Sequence, residues 1–124
     1  MKDEGSGADL AVKTLIFACS GAADVGEIAD RTARALHREG RGKMFCLAGV
    51  GGRIPNMVKT TEQADAVLAI DGCTQNCASQ CLQSVGIAEF RHLRLAELGF
   101  EKGMSPVTEA AIARVSDEGK RLLG

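Results

Sequence analysis

The sequence contains no Trp and no Tyr, and only 4 of its 124 residues are Phe. Proteins that bind single-stranded nucleic acid stack the bases on aromatic side chains, and this chain offers few of them. A surplus of basic charge is also missing, because the formal net charge is -1 and the sequence pI is about 6.1. We therefore expect that the protein does not bind nucleic acid.

A long apolar run and a signal sequence are missing as well. No apolar stretch approaches the length of about 20 residues that crosses a membrane as a helix. The first residues, Met1 to Gly5, do not show the basic and then apolar pattern of a signal peptide. We therefore expect a cytoplasmic protein with no membrane span. The length predicts one α/β domain over residues 11–124, preceded by a flexible tail, the polar and glycine-rich residues 1–10.

Short apolar runs alternate along the chain with segments in which apolar residues recur at helical spacing. This alternation predicts an α/β fold: a three-layer sandwich with a mainly parallel sheet of about four strands, in the order 2-1-3-4, and helices on both faces. Ser20 and Ser105 are the predicted N-caps of the first and last helices. The predicted strands are residues 15–18, 43–48, 66–70 and 90–95, the last of them an edge strand, and the predicted helices are residues 22–38, 54–61, 77–85 and a final one from Ser105.

Five cysteines carry the chemistry of this sequence. An odd number cannot pair completely within one chain, and clustered cysteines in a reducing compartment indicate metal or thiol chemistry. Cys19 lies at the carboxyl end of the first predicted strand and Cys46 near the carboxyl end of the second. Cys73 follows the third, and Cys77 lies in the helix after it. Because parallel strands end at the same edge of a sheet, and the first strand would lie between the second and third, we expect these thiols to converge.

Four converging thiolates are a typical ligand set for a structural zinc ion. We expect Cys81 to pack in the core, because it lies one turn further along an apolar helix face. For Cys46, packing in the core is an equally good interpretation. The predicted zinc ligands are Cys19, Cys46, Cys73 and Cys77.

Positive groups are expected to offset the charge of these thiolates. Helices predicted to begin near Ser20 and Thr74 would direct their N-termini at the cluster and lower the pKa of the thiols. Arg53 would assist from a glycine loop, residues 49–52. Asp71 is predicted to be a turn and cap residue, and His92, in the polar edge strand, is predicted to face water.

Two other kinds of site remain open. In the first, Cys19 or Cys73 is the reactive thiolate of a redox or sulfur-chemistry enzyme, beside the glycine-rich loop and Arg53, which would bind an anion. The phosphate loop of cysteine phosphatases does not match, because six residues separate Cys46 from Arg53, one more than that loop has. In the second, the four thiolates hold an iron–sulfur cluster.

Three motifs together resemble the DGC-domain family of proteins that are expected to bind zinc. They are CSGAADVG at residues 19–26, FCLAG at 45–49 followed by Gly51 and Gly52, and IDGC at 70–73 followed by Cys77. The resemblance covers about residues 13–108. It implies a small bacterial or archaeal cytoplasmic protein with zinc as its cofactor, and no established activity. It carries over Cys19, Cys46, Cys73 and Cys77 as ligands and leaves Cys81 unassigned.

Overall fold

The structure is a computed structural model of the chain, and it describes residues 13–124. The predicted tail, residues 1–10, lies outside the described residues. The strands are β1 (Thr14–Ala18), β2 (Lys43–Met44), β3 (Ala66–Asp71) and β4 (Arg91–Arg94). The helices are α1 (Asp24–Arg38), α2 (Leu47–Gly51), α3 (Pro55–Glu62), α4 (Cys77–Ser84) and α5 (Glu109–Leu123), and a short 3₁₀ helix (Leu95–Leu98) follows β4.

The four strands form one parallel sheet in the order β2-β1-β3-β4, which confirms the predicted fold and strand order. Ile16 of β1 pairs with Met44 on one side and with Leu68 on the other. Ala18 pairs with Ile70, and Asp71 pairs with Arg94. All strands therefore end at the same side of the sheet, which we call the carboxyl edge.

Alternate residues of the two central strands build two apolar cores, one on each face of the sheet. Ile16 and Ile70 belong to the core under α1 and α5, and Phe17 belongs to the core under α2 and α4. This alternation is the geometry of a strand, in which successive side chains point to opposite faces. Both central strands are buried on both faces, as their continuous apolar runs predict.

The second predicted strand, residues 43–48, is wrong in its length. β2 ends at Met44, and the following residues turn into α2. The reason is local: Cys46 has an extended backbone and its Sγ accepts a hydrogen bond from Gly49 N at 3.3 Å, so that it is the N-cap of α2. The predicted glycine loop, residues 49–52, is therefore mostly helical.

The predicted N-caps of the first and last helices are also wrong. α1 begins at Asp24, and the Ser20 hydroxyl instead donates to Asp30 Oδ1 at 2.7 Å. The N-cap of α5 is Thr108, whose hydroxyl accepts a backbone hydrogen bond, whereas Ser105 lies in the loop before it. A Ser at the right distance from an apolar pattern is a plausible cap, but a Thr nearer the helix competes for the same position.

Candidate functional site

The loops after the strands bring the predicted ligands to the carboxyl edge. Cys19 directly follows β1, Cys46 lies after the short β2, and Cys73 follows β3. Cys77 is the first residue of α4, and Cys81 lies one turn further along the same helix. All five cysteines carry free thiols, and Cys46 and Cys77 are the exposed ones. The parallel sheet, rather than any sequence proximity, places these side chains at one end of the molecule.

A hydrogen bond to sulfur joins the loops after β1 and β3. The Cys19 Sγ accepts from Gly72 N at 3.4 Å, and Cys19 N donates to Ile70 O at 3.0 Å. Cys19 packs against both apolar cores, whereas Cys73 packs against the core under α1 and α5. These contacts hold the thiol of Cys19 next to the segment that carries Cys73.

Two glycines allow this close approach of the loops. A Cβ at position 72 would lie 2.6 Å from the carbonyl carbon of Val25, at the start of α1. A Cβ at position 26 would lie 2.5 Å from Gly21 O, in the loop after β1. Any side chain at Gly72 or Gly26 would therefore push α1 away from the loops that carry Cys19 and Cys73.

Asp71, the first residue of the Asp-Gly-Cys segment, caps α4 from β3. Its Oδ1 accepts from Ala78 N at 2.7 Å and its Oδ2 accepts from Ser79 N at 3.1 Å. The residue is only 1% exposed, so these bonds compensate for a carboxylate removed from water. The prediction that Asp71 is a cap residue is confirmed.

His92 is the partner of Asp71 that the sequence did not indicate. Its Nε2 lies 2.7 Å from Asp71 Oδ2, and its side chain is 24% exposed. The prediction that His92 faces water is wrong, because β4 lies beside β3 and brings the ring to the buried carboxylate. The two residues are far apart in the sequence, so only the strand pairing could have revealed the contact.

The environment of Cys77 makes it a weakly acidic thiol. Although Cys77 is exposed as a residue, partial desolvation of its thiol raises its pKa, and the negative charge of Asp71 and the nearby Cys19, Cys73 and Cys81 raise it further. The expected lowering of the thiol pKa by the N-terminus of α4 is therefore outweighed at Cys77. The thiols that contribute to this shift are Cys19, Cys73 and Cys81, so the surroundings of Cys77 include Cys81 and not the predicted ligand Cys46.

Cys46 and Cys81 occupy different surroundings at the α2–α4 contact. Cys46 is exposed and caps α2 through its sulfur. Cys81 faces the backbone of α2, since a Cβ at Gly51 would lie 3.1 Å from the Cys81 Sγ. Cys81 is only partly buried, whereas we predicted that it would pack in the core.

The thiols do not form a prearranged metal site. Within residues 13–124, no group of three or more Cys, His, Asp or Glu side chains is arranged so that it could hold a metal ion. The predicted assistance from Arg53 is wrong, because its guanidinium donates to Ser84 O at 3.0 Å, at the end of α4 opposite to Cys77. The cysteines thus share an edge, but their side chains would have to reorient to share an ion.

A cavity of about 500 Å³ opens beside Cys73, between the loop after β3 and the segment from Ala96 to Lys102. Asp24 anchors the loop that follows this segment, because its carboxylate accepts from Gly103 N and Ser105 N, both at 2.9 Å. These hydrogen bonds, the one from Gly103 first, lower the pKa of Asp24 below its ordinary value. A larger cavity of about 730 Å³ lies at the opposite edge of the sheet, and the described residues that line it include no cysteine.

Comparisons with known proteins agree with the motifs. The family model of the DGC domain matches residues 15–118 of this chain. The chain is 37% identical to the anaerobic and virulence modulator AnvM of Pseudomonas aeruginosa over 110 residues, which cover 88% of this chain and 84% of that protein. No solved structure matches the chain. Within residues 13–124, no helix has the length and apolar character needed to cross a membrane.

Proposed function

The chain belongs to the DGC-domain family, and on this premise we propose that it is a zinc-binding protein with a structural or metal-handling role. The observation that carries the proposal is geometric: Cys19, Cys46 and Cys73 follow three neighbouring strands of one parallel sheet, and Cys77 begins α4 at the same edge. Thiolates are soft ligands that suit Zn²⁺, and four of them form a common structural site. The ion would supply the positive charge that makes several neighbouring thiolates compatible.

The proposed ligands are Cys19, Cys46, Cys73 and Cys77. The bond from Gly72 to the Cys19 sulfur supports the pairing of Cys19 with the segment of Cys73. The position of Cys77 at the first residue of α4 supports its inclusion, because that end of the helix lies at the carboxyl edge. Cys46 is exposed and follows β2 at the same edge, so that it can turn towards the cluster without breaking a core.

Among the possible uses of the zinc site, we propose a regulatory one first. The relative from Pseudomonas aeruginosa is described as a modulator, and it aligns with most of this chain. A protein that responds to its surroundings through bound zinc or through its thiols needs no substrate cavity at the metal. This interpretation suits a cluster without a prearranged geometry, in which binding of the ion would reorder the loops of the carboxyl edge.

Metal analysis of protein purified without oxygen tests the proposal. We expect about one Zn²⁺ per chain, with the four ligand thiols protected from a thiol reagent and the fifth reactive. After chelation, all five thiols should react. A protein that carries no zinc, takes up none, and exposes the same thiols before and after chelation would contradict the proposal.

A second candidate function is thiol-dependent redox or sulfur chemistry at Cys73. The observation that favours it is the cavity of about 500 Å³ that Cys73 lines. The anion loop first expected for such an enzyme gives no support, because residues 47–51 are helical and Arg53 bonds to Ser84 O. Selective modification of Cys73 in metal-free protein by small electrophiles would favour this candidate. An iron–sulfur cluster would instead give iron and visible absorbance in the anaerobic sample.

A further inference from the structure

The first turn of α4 has no cap of its own. The residue at the N-cap position is Asn76, which has a left-handed backbone with φ 56° and makes no side-chain cap bond. The first amides of a helix lack acceptors within the helix and need them from elsewhere. For Ala78 and Ser79 the acceptors are the two carboxylate oxygens of Asp71, on β3. The start of α4, and with it Cys77, is therefore fixed by a residue of the sheet.

The carboxylate that performs this task is itself held by β4. Asp71 Oδ2 accepts from Ser79 N and also lies 2.7 Å from His92 Nε2. A carboxylate oxygen accepts, so for this contact to be a hydrogen bond His92 must carry its proton on Nε2. The Phe90 and His92 rings pack in a T-shaped arrangement, with centroids 5.9 Å apart and an interplanar angle of 76°, which limits rotation of the imidazole.

We propose that His92 is a positioning residue for the Cys77 thiol and that it acts through Asp71. The chain of contacts runs from the imidazole to the buried carboxylate, from the carboxylate to the amides of Ala78 and Ser79, and from this turn to Cys77. Without the donor from His92, the carboxylate would lose a partner, and the first turn of α4 would open more often. The functional role of these contacts rests on the proposed thiol site, but the contacts themselves involve no metal.

The experiment uses the reduced, metal-free chain and compares His92→Leu with His92→Gln. The side-chain amide of Gln can donate to Asp71 in place of Nε2, whereas Leu cannot. His37→Leu is the matched control, because His37 is the other histidine of the chain and contacts Met44 N of β2 instead. Two quantities are measured: hydrogen exchange at the amides of Ala78 and Ser79, and the alkylation rate of Cys77 relative to the exposed Cys46.

We expect His92→Leu to accelerate exchange at both amides by about tenfold, since their acceptor, Asp71, loses the group that holds it in place. The alkylation rate of Cys77 relative to Cys46 should change in the same variant. Hydrogen exchange at the amides of β1 should remain as slow as in the parent. His92→Gln and His37→Leu should retain the parent values at α4. If His92→Leu leaves either the two amides or Cys77 unchanged, or if His92→Gln behaves like His92→Leu, the proposal is wrong.

The nitrogen chemical shifts of His92 in the parent protein provide a test that does not depend on a folded variant. They should report a ring protonated at Nε2, and a neutral ring protonated only at Nδ1 would overturn the proposal. Failure of the zinc proposal and failure of the positioning role of His92 give different results. A protein that binds no zinc but shows the expected exchange would retain the positioning role, whereas a zinc protein without the exchange effect would lose it.

Discussion

The Sγ of Cys19 lies 3.4 Å from the backbone nitrogen of Gly72, so a thiol after β1 contacts the residue that precedes Cys73. The two residues are 53 positions apart in the sequence. The contact exists because β1 and β3 are neighbours in a parallel sheet and because Gly72 lies directly against the start of α1. A glycine is therefore required at the middle position of the Asp-Gly-Cys motif for the loop to pack against α1. Its neighbours have other roles: Asp71 caps α4 and Cys73 supplies a thiol.

Substitution of Gly72 by Ala should separate the loops that carry Cys19 and Cys73. The new Cβ would lie 2.6 Å from the carbonyl group of Val25, so the backbone of α1 or of the loop must move. We expect a loss of about 1–3 kcal/mol in the free energy of unfolding, measured by denaturant titration. Gly21→Ala is the matched control, because a Cβ there meets no atom of the described residues within 4 Å, and it should change stability by less than about 0.5 kcal/mol. Equal effects of the two substitutions would contradict this interpretation.

Cys77→Ser and Cys81→Ser should separate a ligand from a packing residue. Cys77 begins α4 at the carboxyl edge, and Cys81 lies one turn, about 5.4 Å, further along the helix, against Gly51. We expect Cys77→Ser to lose most of the bound zinc, because a hydroxyl does not replace a thiolate ligand. Cys81→Ser should retain the metal content of the parent. The measurement is metal content after purification without oxygen. The opposite result would replace Cys77 by Cys81 in the ligand set.

The metal-free chain should lose stability at alkaline pH through Cys77. Its pKa in the folded chain is raised above the ordinary value of 9.0, mainly by burial, so the unfolded chain releases the proton at a lower pH. The contribution of Cys77 to stability is then complete below this ordinary value and declines as the pH rises above it. Cys77→Ser should show a shallower decline than the parent in denaturant titrations at increasing pH. An equally steep decline in both proteins would contradict this interpretation.

Zinc binding should weaken as the pH falls, because each thiol must lose its proton to become a ligand. The raised pKa of Cys77 adds to this competition between protons and metal. Competition with a chelator, followed at several pH values, should give an apparent affinity that rises with pH in the parent. A pH-independent affinity would indicate that the metal is not held by thiolates.

Loss of the Asp71 cap should destabilise the protein more than loss of a surface carboxylate. Asp71 is 1% exposed and accepts three hydrogen bonds, and Asp71→Asn replaces one accepting oxygen by a donor. We expect a loss of about 1–3 kcal/mol in the free energy of unfolding. Asp65→Asn is the control, because among residues 13–124 Asp65 accepts only an exposed bond, from Lys13 N. A similar stability for both variants would show that the cap contributes little.

The pattern of apolar and polar residues along the chain was sufficient to predict much of the fold. The continuous apolar runs at residues 15–18 and 66–70 identified the two central strands, since strands buried on both faces need no polar alternation. The alternation with helices identified the parallel sheet and its order 2-1-3-4. From that sheet alone it followed that Cys19, Cys46 and Cys73 lie at one edge.

Other features depended on which groups meet in three dimensions. The apolar residues after Met44 resemble a strand, but the sulfur of Cys46 caps a helical turn there. Arg53 was expected at the cluster, and its guanidinium instead finds the free carbonyl of Ser84. Periodicity reports which side chains are buried, but it does not report which donor will satisfy a given acceptor.

The pair of Asp71 and His92 is the clearest case of this limit. The sequence alone determined that Asp71 ends a buried strand before a helix, which is enough to predict a cap. Only the tertiary structure placed His92 beside it, because β4 joins the sheet next to β3 in one particular register. Burial of a carboxylate must be compensated by donors, and strands that are distant in the sequence supply them wherever the register brings them within hydrogen-bonding distance.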